Sequence, residues 1–383
     1  MNLNNHPLIE EAKLFSDQHI RSNAGEFEQT GVPQQIVDLM AEKGFLGSVI
    51  SKEYGGAGVD PYTYGRITEE IGKGCNSVRA LLTVHTSLVG ETLERLGTEE
   101  QKATYLPLMT SGEKLACFAL SEVHAGSDAA SISTSYAENE SSFVLSGKKR
   151  WISFAGIADL FLVFAANEGV ISAFLVDRAM PGVSISPMSG LMASKGAHLA
   201  EIAFENVEVP KENLVGKQGM GFSFVANTAL FYGRYSIAWG GVAIMAAAIE
   251  EMVTYARTRT QFGKKLGQHQ LIQAMIADST TSLHAGRSMC EKIALLRDNN
   301  DDQAVMETNI AKLFTSRAAC EVSSTAVQVL GGNGLWNGYP VERLYREAKV
   351  LEIIEGTTQI QQMMISNFAL RRYFRKASKR VGV

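Results

Sequence analysis

Glu355 is the residue whose surroundings most suggest acid–base chemistry. It stands in Glu355-Gly356-Thr357-Thr358, between two helical stripes: Val341, Leu344, Tyr345, Ala348 and Leu351 before it, and Ile360, Met363, Met364 and Phe368 after it. Ile353 and Ile354 precede it, and Gly356 is free to take backbone angles closed to other residues. A carboxylate beside an apolar pair at a helix break loses hydration, which raises its pKa toward that of a working general base. Taken alone, the same residues read more simply as a helix stop and restart, with Thr357 or Thr358 as N-cap.

Further polar, glycine-rich loops lie at element boundaries. In Ser121-Glu122-Val123-His124-Ala125-Gly126-Ser127-Asp128, small residues would let backbone N–H groups and hydroxyls approach a phosphate or a planar ring. In Lys149-Arg150-Trp151-Ile152-Ser153, an indole beside a hydroxyl suits a flat cofactor, or simply a core. The arginines of Arg257-Thr258-Arg259-Thr260-Gln261-Phe262-Gly263 suit a diphosphate or a helix C-terminus equally. The glycines of Gln328-Val329-Leu330-Gly331-Gly332-Asn333-Gly334 suit left-handed helix caps. Other chemistries lack their patterns. No GxGxxG follows a strand, and neither GxxxxGK[ST] nor GxSxG occurs. The cysteines and histidines have no metal-ligand spacing.

With 383 residues, the chain is too long for one compact core, so two or three domains are expected. Its formal net charge of -4 opposes general nucleic-acid binding. Cys75, Cys117, Cys290 and Cys320 read as small buried residues in a reducing compartment. The N-terminal residues lack a basic and then apolar signal pattern, and the apolar run around Gly240 to Ile249 is too short to span a bilayer. A cytoplasmic protein without a membrane span is expected.

The elements that must position these loops fall into three blocks. Residues 8 to 116 carry helical stripes, with a capping box at Thr98 and Gln101 opening a helix from Glu99 to Met109. From about Lys114 to Asn213, short β-branched and aromatic runs alternate with turn residues, which predicts a β-domain of hairpins. Beyond Gly221 long helical patterns return: Phe222 to Arg257 as one helix or two, then Gln268 to Asp298, Asp302 to Leu330, and a last pair over 339 to 374. The expected fold is α+β multidomain: an N-terminal α-helical domain over 1–115, a middle β-barrel-like domain over 116–220, and a C-terminal four-helix bundle over 221–383.

AGSD (125–128), WIS (151–153), RTQFG (259–263), HQ (269–270), QVLGGNG (328–334), YPVERLYREAK (339–349) and EGTTQIQ (355–361), in this order, resemble the acyl-CoA dehydrogenase family over nearly the whole chain. The resemblance implies FAD held between the β-domain and the C-terminal helices of a homo-oligomer, a dimer or tetramer. Phe118, Leu120, Ser121, Gly126 and Ser127 would line the flavin and its ribityl-phosphate arm. Trp151 and Ser153 would flank the ring, with Ser153 near N5. Arg259, Gln261, Phe262, His269 and Gln270, with Gln328, Gly331 and Gly332, would reach the FAD of a neighbouring subunit, and Thr357 and Gln359 would close over the cofactor. Ser121 and Ser153 stand where threonines are common, and both keep the hydroxyl.

The implied reaction is α,β-dehydrogenation of an acyl thioester. Glu355 takes the pro-R α-proton, the β-hydrogen leaves as hydride to the flavin, and the Glu355 N–H supports the developing enolate oxygen. Ser127, Phe231, Arg234 and Gly356 would lie by the substrate. Some branches place the base on the helix that here carries Gly233-Arg234, and Gly233 cannot serve. Phe231 replaces a common aspartate that contacts pantetheine, and Asn367 an arginine that contacts CoA. Those departures weaken the case for free CoA, and Ser77 to His85 also resembles relatives acting on acyl or aminoacyl groups tethered to a carrier protein in polyketide and nonribosomal-peptide pathways. In isolation that segment is an ordinary buried helix with His85 a satisfied core histidine. The basic run Arg371 to Arg380 suits an acidic carrier or a solvated end. Electron-transferring flavoprotein is the implied acceptor. A non-catalytic DNA-associated flavoprotein and an oxidase using O2 are the competing readings.

Overall fold

The computed structural model describes residues 6–374. The part of the basic run beyond Phe374 lies outside the described residues. The chain begins with helices α1 (Pro7–Phe15), α2 (Ala24–Thr30), α3 (Gln34–Glu42), α4 (Pro61–Gly74), α5 (Asn76–Leu81), α6 (Glu91–Leu96) and α7 (Glu99–Thr110). Their starts are encoded locally. Asp60 caps α4 by accepting from Thr63 N at 3.0 Å, with Pro61 in the first turn. Thr98 and Gln101 form the expected reciprocal capping box of α7. Between α5 and α6, Leu82–Gly90 is wound as a π-helix whose nine residues are all buried. His85 sits there as a core residue: Nε2 is 3.1 Å from Met109 O, and Nδ1 accepts from Ala116 N.

Eight strands follow: β1 (Ala116–Ala119), β2 (Ser135–Glu138), β3 (Ser142–Ile152), β4 (Leu160–Asn167), β5 (Val170–Asp177), β6 (Val183–Pro187), β7 (Ala200–Pro210) and β8 (Leu214–Val215). They form one sheet in the order β6-β7-β3-β2-β4-β5-β8, with β1 also on β4. Hairpins alone do not describe it. β1 runs parallel to β4, pairing Ala116–Ala119 with Leu160–Val163, and β2 meets the same strand in parallel at Ser135↔Ala166. A four-residue apolar run does not reveal its partner, so this crossing left no local signal. The tight β4–β5 hairpin is local: Glu168 and Gly169 both take left-handed angles (φ 49 and 80).

A π-helical turn, Gly221–Ala226, runs into α8 (Asn227–Thr258). A small ribbon of β9 (Thr260–Gln261) and β10 (Lys264–Lys265) leads to α9 (Gln270–Asp298), α10 (Gln303–Leu330), α11 (Val341–Ile353) and α12 (Thr358–Arg372). α8 packs against α4, α9, α10 and α11. Its small residues permit close approach: a Cβ on Gly241 would lie 2.7 Å from Thr315 O of α10. The helical run Gly221–Thr258 is long and apolar enough to cross a membrane by composition, more than the run around Gly240 suggested, but 72% of its apolar window is buried inside the protein. Cys75, Cys117 and Cys290 are buried, and Cys320 is half-buried.

Candidate active site

Helix α11 ends at Ile353, and Ile354 is already extended (ψ 155). Glu355 then takes φ 54 and Gly356 φ 99, so the chain reverses through two left-handed residues. Thr357 starts α12 by accepting from Ile360 N at 3.4 Å, as one of the two cap candidates. A left-handed non-glycine residue costs about 1 kcal/mol, so tertiary contacts must hold Glu355 there. They do. Arg234 Nε donates to Glu355 O at 2.8 Å, Gln361 Nε2 donates to the same oxygen at 3.4 Å, and Lys312 Nζ donates to Gly356 O at 2.7 Å.

The carboxylate itself points elsewhere. Its Oε2 is shielded from solvent and has no hydrogen-bond partner, although the residue as a whole keeps some surface. Burial pushes its pKa up to about 7, against the opposing charges of Arg234, Lys312 and Arg79. Gly233 on α8 makes room for it: a Cβ there would collide with Glu355 Oε2 and with Leu88 of the π-helix. The arrangement is a dry carboxylate poised near neutral pH, able to take a proton from a weak carbon acid placed against it.

Sequence motifs did not mark Lys312, and Arg79 fell inside the Ser77 to His85 segment without a role of its own. Arg79 is fully buried and donates to Asn76 Oδ1 and Thr83 Oγ1. Lys312 is fully buried, and burial lowers its pKa to about 8. A signal existed for Lys312: it falls on the stripe Thr308, Ala311, Thr315 and Ala319, all buried on α10. Phe231, half-buried on α8, lies 5.6 Å beneath the Arg297 guanidinium, which also covers Tyr232 and Tyr235 and pairs with Glu91 at 2.5 Å.

The expected flavin loops fall into two groups. In the first, Phe118 packs on Phe164, and the chain after β1 is joined to β3: Arg150 N donates to Ser121 O and Lys149 Nζ to Leu120 O. Lys149 also meets Glu122 Oε1 at 2.7 Å, both side chains being buried. Glu122 accepts in addition from Ser133 N, Ser133 Oγ and Thr134 N. Burial alone would raise its pKa; these donors overcome that and hold it near 2. Gly126 and Ser127 stay exposed on this loop. β3 slips register against β7 between Lys149 and Ile152, and there Trp151 turns outward (φ 64), 51% exposed, with the Arg150 guanidinium 5.0 Å over its ring. Ser153 comes two residues later, just past the end of β3.

The second group lies at the far ends of α8 and α10. Arg259, Gln261, Phe262, Gln270, Gln328, Gly331 and Gly332 are exposed, and His269 is partly so, with Nε2 3.2 Å from Gln261 O. Asn333 Nδ2 donates to Tyr255 OH, tying the two helix ends together. Among the described residues, no hydrogen bond joins this group to Trp151 or to the loop after β1. Gln359 is exposed on α12, where it lines a shallow depression with Gln362, Met363, Ser366 and Asn367.

Models of the acyl-CoA dehydrogenase N-terminal, middle and C-terminal domains match residues 5–113, 117–207 and 219–370. The chain belongs to the acyl-CoA dehydrogenase family. It is 36% identical to the mitochondrial short-chain specific acyl-CoA dehydrogenase of Homo sapiens, covering 96% of this chain and 90% of that protein. Butyryl-CoA dehydrogenase from Megasphaera elsdenii has the same fold, with TM-score 0.93 and 31% identity over 97% of this chain and 100% of that one. The prolyl acyl carrier protein oxidase AnaB also matches, with TM-score 0.89 and 27% identity over 94% and 97% of the two chains.

The family implies FAD, and this chain's residues fit it. Trp151 offers a half-exposed indole two residues before Ser153, Gly126 has open space where a Cβ would sit, and Glu355 Oε2 is a shielded acceptor without a donor.

Proposed function

We propose that this acyl-CoA dehydrogenase oxidises a small acyl thioester across its α,β bond, with Glu355 as the α-proton base. The observation that carries the reading is the shielded, unpartnered Glu355 Oε2, raised to about 7 and seated against Gly233. FAD, when bound, supplies the hydride acceptor. Phe118, Leu120, Ser121, Gly126, Ser127, Trp151 and Ser153 would hold it from this chain. Arg259, Gln261, Phe262, His269, Gln270, Gln328, Gly331, Gly332, Thr357 and Gln359 complete the assignment in a homo-oligomer. Arg234 and Gln361 hold the Glu355 carbonyl and with it the peptide plane that carries the Gly356 N–H; the Glu355 N–H, on the preceding peptide, would donate to the thioester oxygen as charge develops there. A donor of that kind is typically worth about 3 kcal/mol. Relatives named for short acyl chains, such as the butyryl-CoA enzyme, support a small acyl group, and electron-transferring flavoprotein is the acceptor we assign by family.

The test is E355Q. The variant should keep its flavin yet fail to bleach it anaerobically with acyl thioester; undiminished bleaching would remove Glu355 as the base. A carrier-protein thioester is the second reading. Phe231 is occupied by the Arg297 stack and has no polar group to offer a pantetheine arm, and AnaB supplies a carrier-using relative. Flavin reduction by one acyl group presented on CoA and on a carrier protein separates the two.

A further inference from the structure

Two consecutive carbonyls, of Glu355 and Gly356, are each gripped by a buried cation: Arg234 from α8 and Lys312 from α10. The family resemblance places Arg234 by the substrate; Lys312 lies in none of the motifs that carry that resemblance. Burying an ammonium costs several kcal/mol unless a counter-charge repays it. Among the described residues Lys312 nevertheless has no ion pair, and its hydrogen bond goes to a neutral carbonyl. The charges that bear on it are Glu355 in the turn, Glu352 at the end of α11 and Arg234. Those that bear on Glu355 are Arg234, Lys312 and Arg79. The lysine therefore spends its charge on the reactive turn.

We propose that Lys312 is a positioning residue for Glu355: it anchors the Gly356 peptide that holds the left-handed turn, and it sets a positive charge behind the carboxylate. The proposal rests on Glu355 being the base. Two consequences follow from the geometry. Without the Lys312 anchor, Gly356 (φ 99) keeps no polar grip on its carbonyl among the described residues, and the carboxylate loses its fixed seat against Gly233. Without the charge, burial acts on Glu355 with less opposition, so its proton is held to higher pH. In the wild type, Lys312 titrates near 8, so its help is present at neutral pH and fades above that value, leaving Arg234 and Arg79.

The experiment compares K312M, K312Q and K312R as holoenzymes with two readouts. One is an infrared titration of the Glu355 carboxyl band, identified by its loss in E355Q, which needs no substrate. The other is the pH profile of anaerobic flavin bleaching by butyryl-CoA. In K312M and K312Q the Glu355 midpoint should rise by roughly one pH unit, a shift typical of losing a neighbouring opposite charge, so bleaching at pH 7 slows about fivefold or more. K312R, which keeps the charge, should return the midpoint. An unmoved midpoint in folded K312M and K312Q overturns the proposal, including the case in which only thermal stability falls. If K312M does not fold, K312Q against K312R decides by the same criterion. If neither folds, K312R decides: its permanent charge must leave the Glu355 midpoint at or below the wild-type value, and a raised midpoint in folded K312R overturns the proposal. Failure of the underlying base assignment looks different: E355Q would then still bleach.

Discussion

Glu355 is held in a form that folding disfavours. Its carboxyl binds a proton more tightly in the native state, at about 7, than in the unfolded chain, at the ordinary 4.5. Its contribution to stability is therefore fully present below about pH 4.5 and is lost as pH rises through about 7. Above that pH the folded protein carries a carboxylate whose Oε2 is shielded and without a partner, at a cost on the order of 3 kcal/mol from the size of the shift. E355Q removes the charge and keeps the shape. It should melt at a higher temperature than the wild type at pH 8 and at nearly the same temperature at pH 5. Equal melting at pH 8 would mean that Glu355 is not strained by burial. An inactive but more stable variant is the expected mark of a residue kept for reaction rather than for the fold.

Among the elements, β3 does two jobs at its end. Lys149 points inward to Glu122, and two residues later Trp151 is turned outward by the register slip. Removing one member of a buried pair leaves the other uncompensated, so K149M should destabilise the protein by about 3–5 kcal/mol. The double variant E122Q/K149M should cost much less. Because the pair ties the 121–134 loop to the strand carrying Trp151, K149M should also release flavin more readily during gel filtration; tight flavin in a destabilised K149M would detach the pair from the cofactor loops. Much at this scale was legible beforehand. Thr98 caps as its capping box predicts, Thr357 is the one of the two expected candidates that caps, and the long helices begin and end within a few residues of their periodicity. The parallel pairing of β1 and the π-wound Leu82–Gly90 were not, because each is decided by what packs against it rather than by its own residues.

At the scale of the whole molecule, ordered motifs far apart in the chain revealed the family, while Lys312 stayed hidden among unremarkable helix residues, and Arg79, Glu122 and Lys149 lay inside marked stretches without their buried contacts being legible. Motifs survive where backbone or ligand geometry admits few residue types; buried charge pairs such as Glu122–Lys149 depend on contacts between residues far apart in sequence that no local pattern records. The exposed apolar residues make a further claim about assembly. Phe262 is 94% and Leu271 79% exposed, on the ribbon and on the helix that follows it. Large apolar side chains so placed point to a covered face. The chain should elute as a dimer or larger by light scattering. F262D/L271D should shift it to a smaller species with reduced flavin content, and an unchanged mass would place the interface elsewhere.

The shared edge of β4 has an evolutionary consequence. β1 holds it at Leu160–Val163 and β2 takes it up at Ala166, so the chain from Leu120 to Thr134 must leave the sheet and return to the same edge. A slip of one residue at either anchorage would turn that strand's side chains to the opposite face. This loop can therefore explore new chemistry by exchanging residues but hardly by changing length. The Asn299–Asp301 bend between α9 and α10, open to solvent, has no such constraint. Insertions in this chain's lineage should gather at sites of the second kind, and innovation near the reactive turn should come as substitutions.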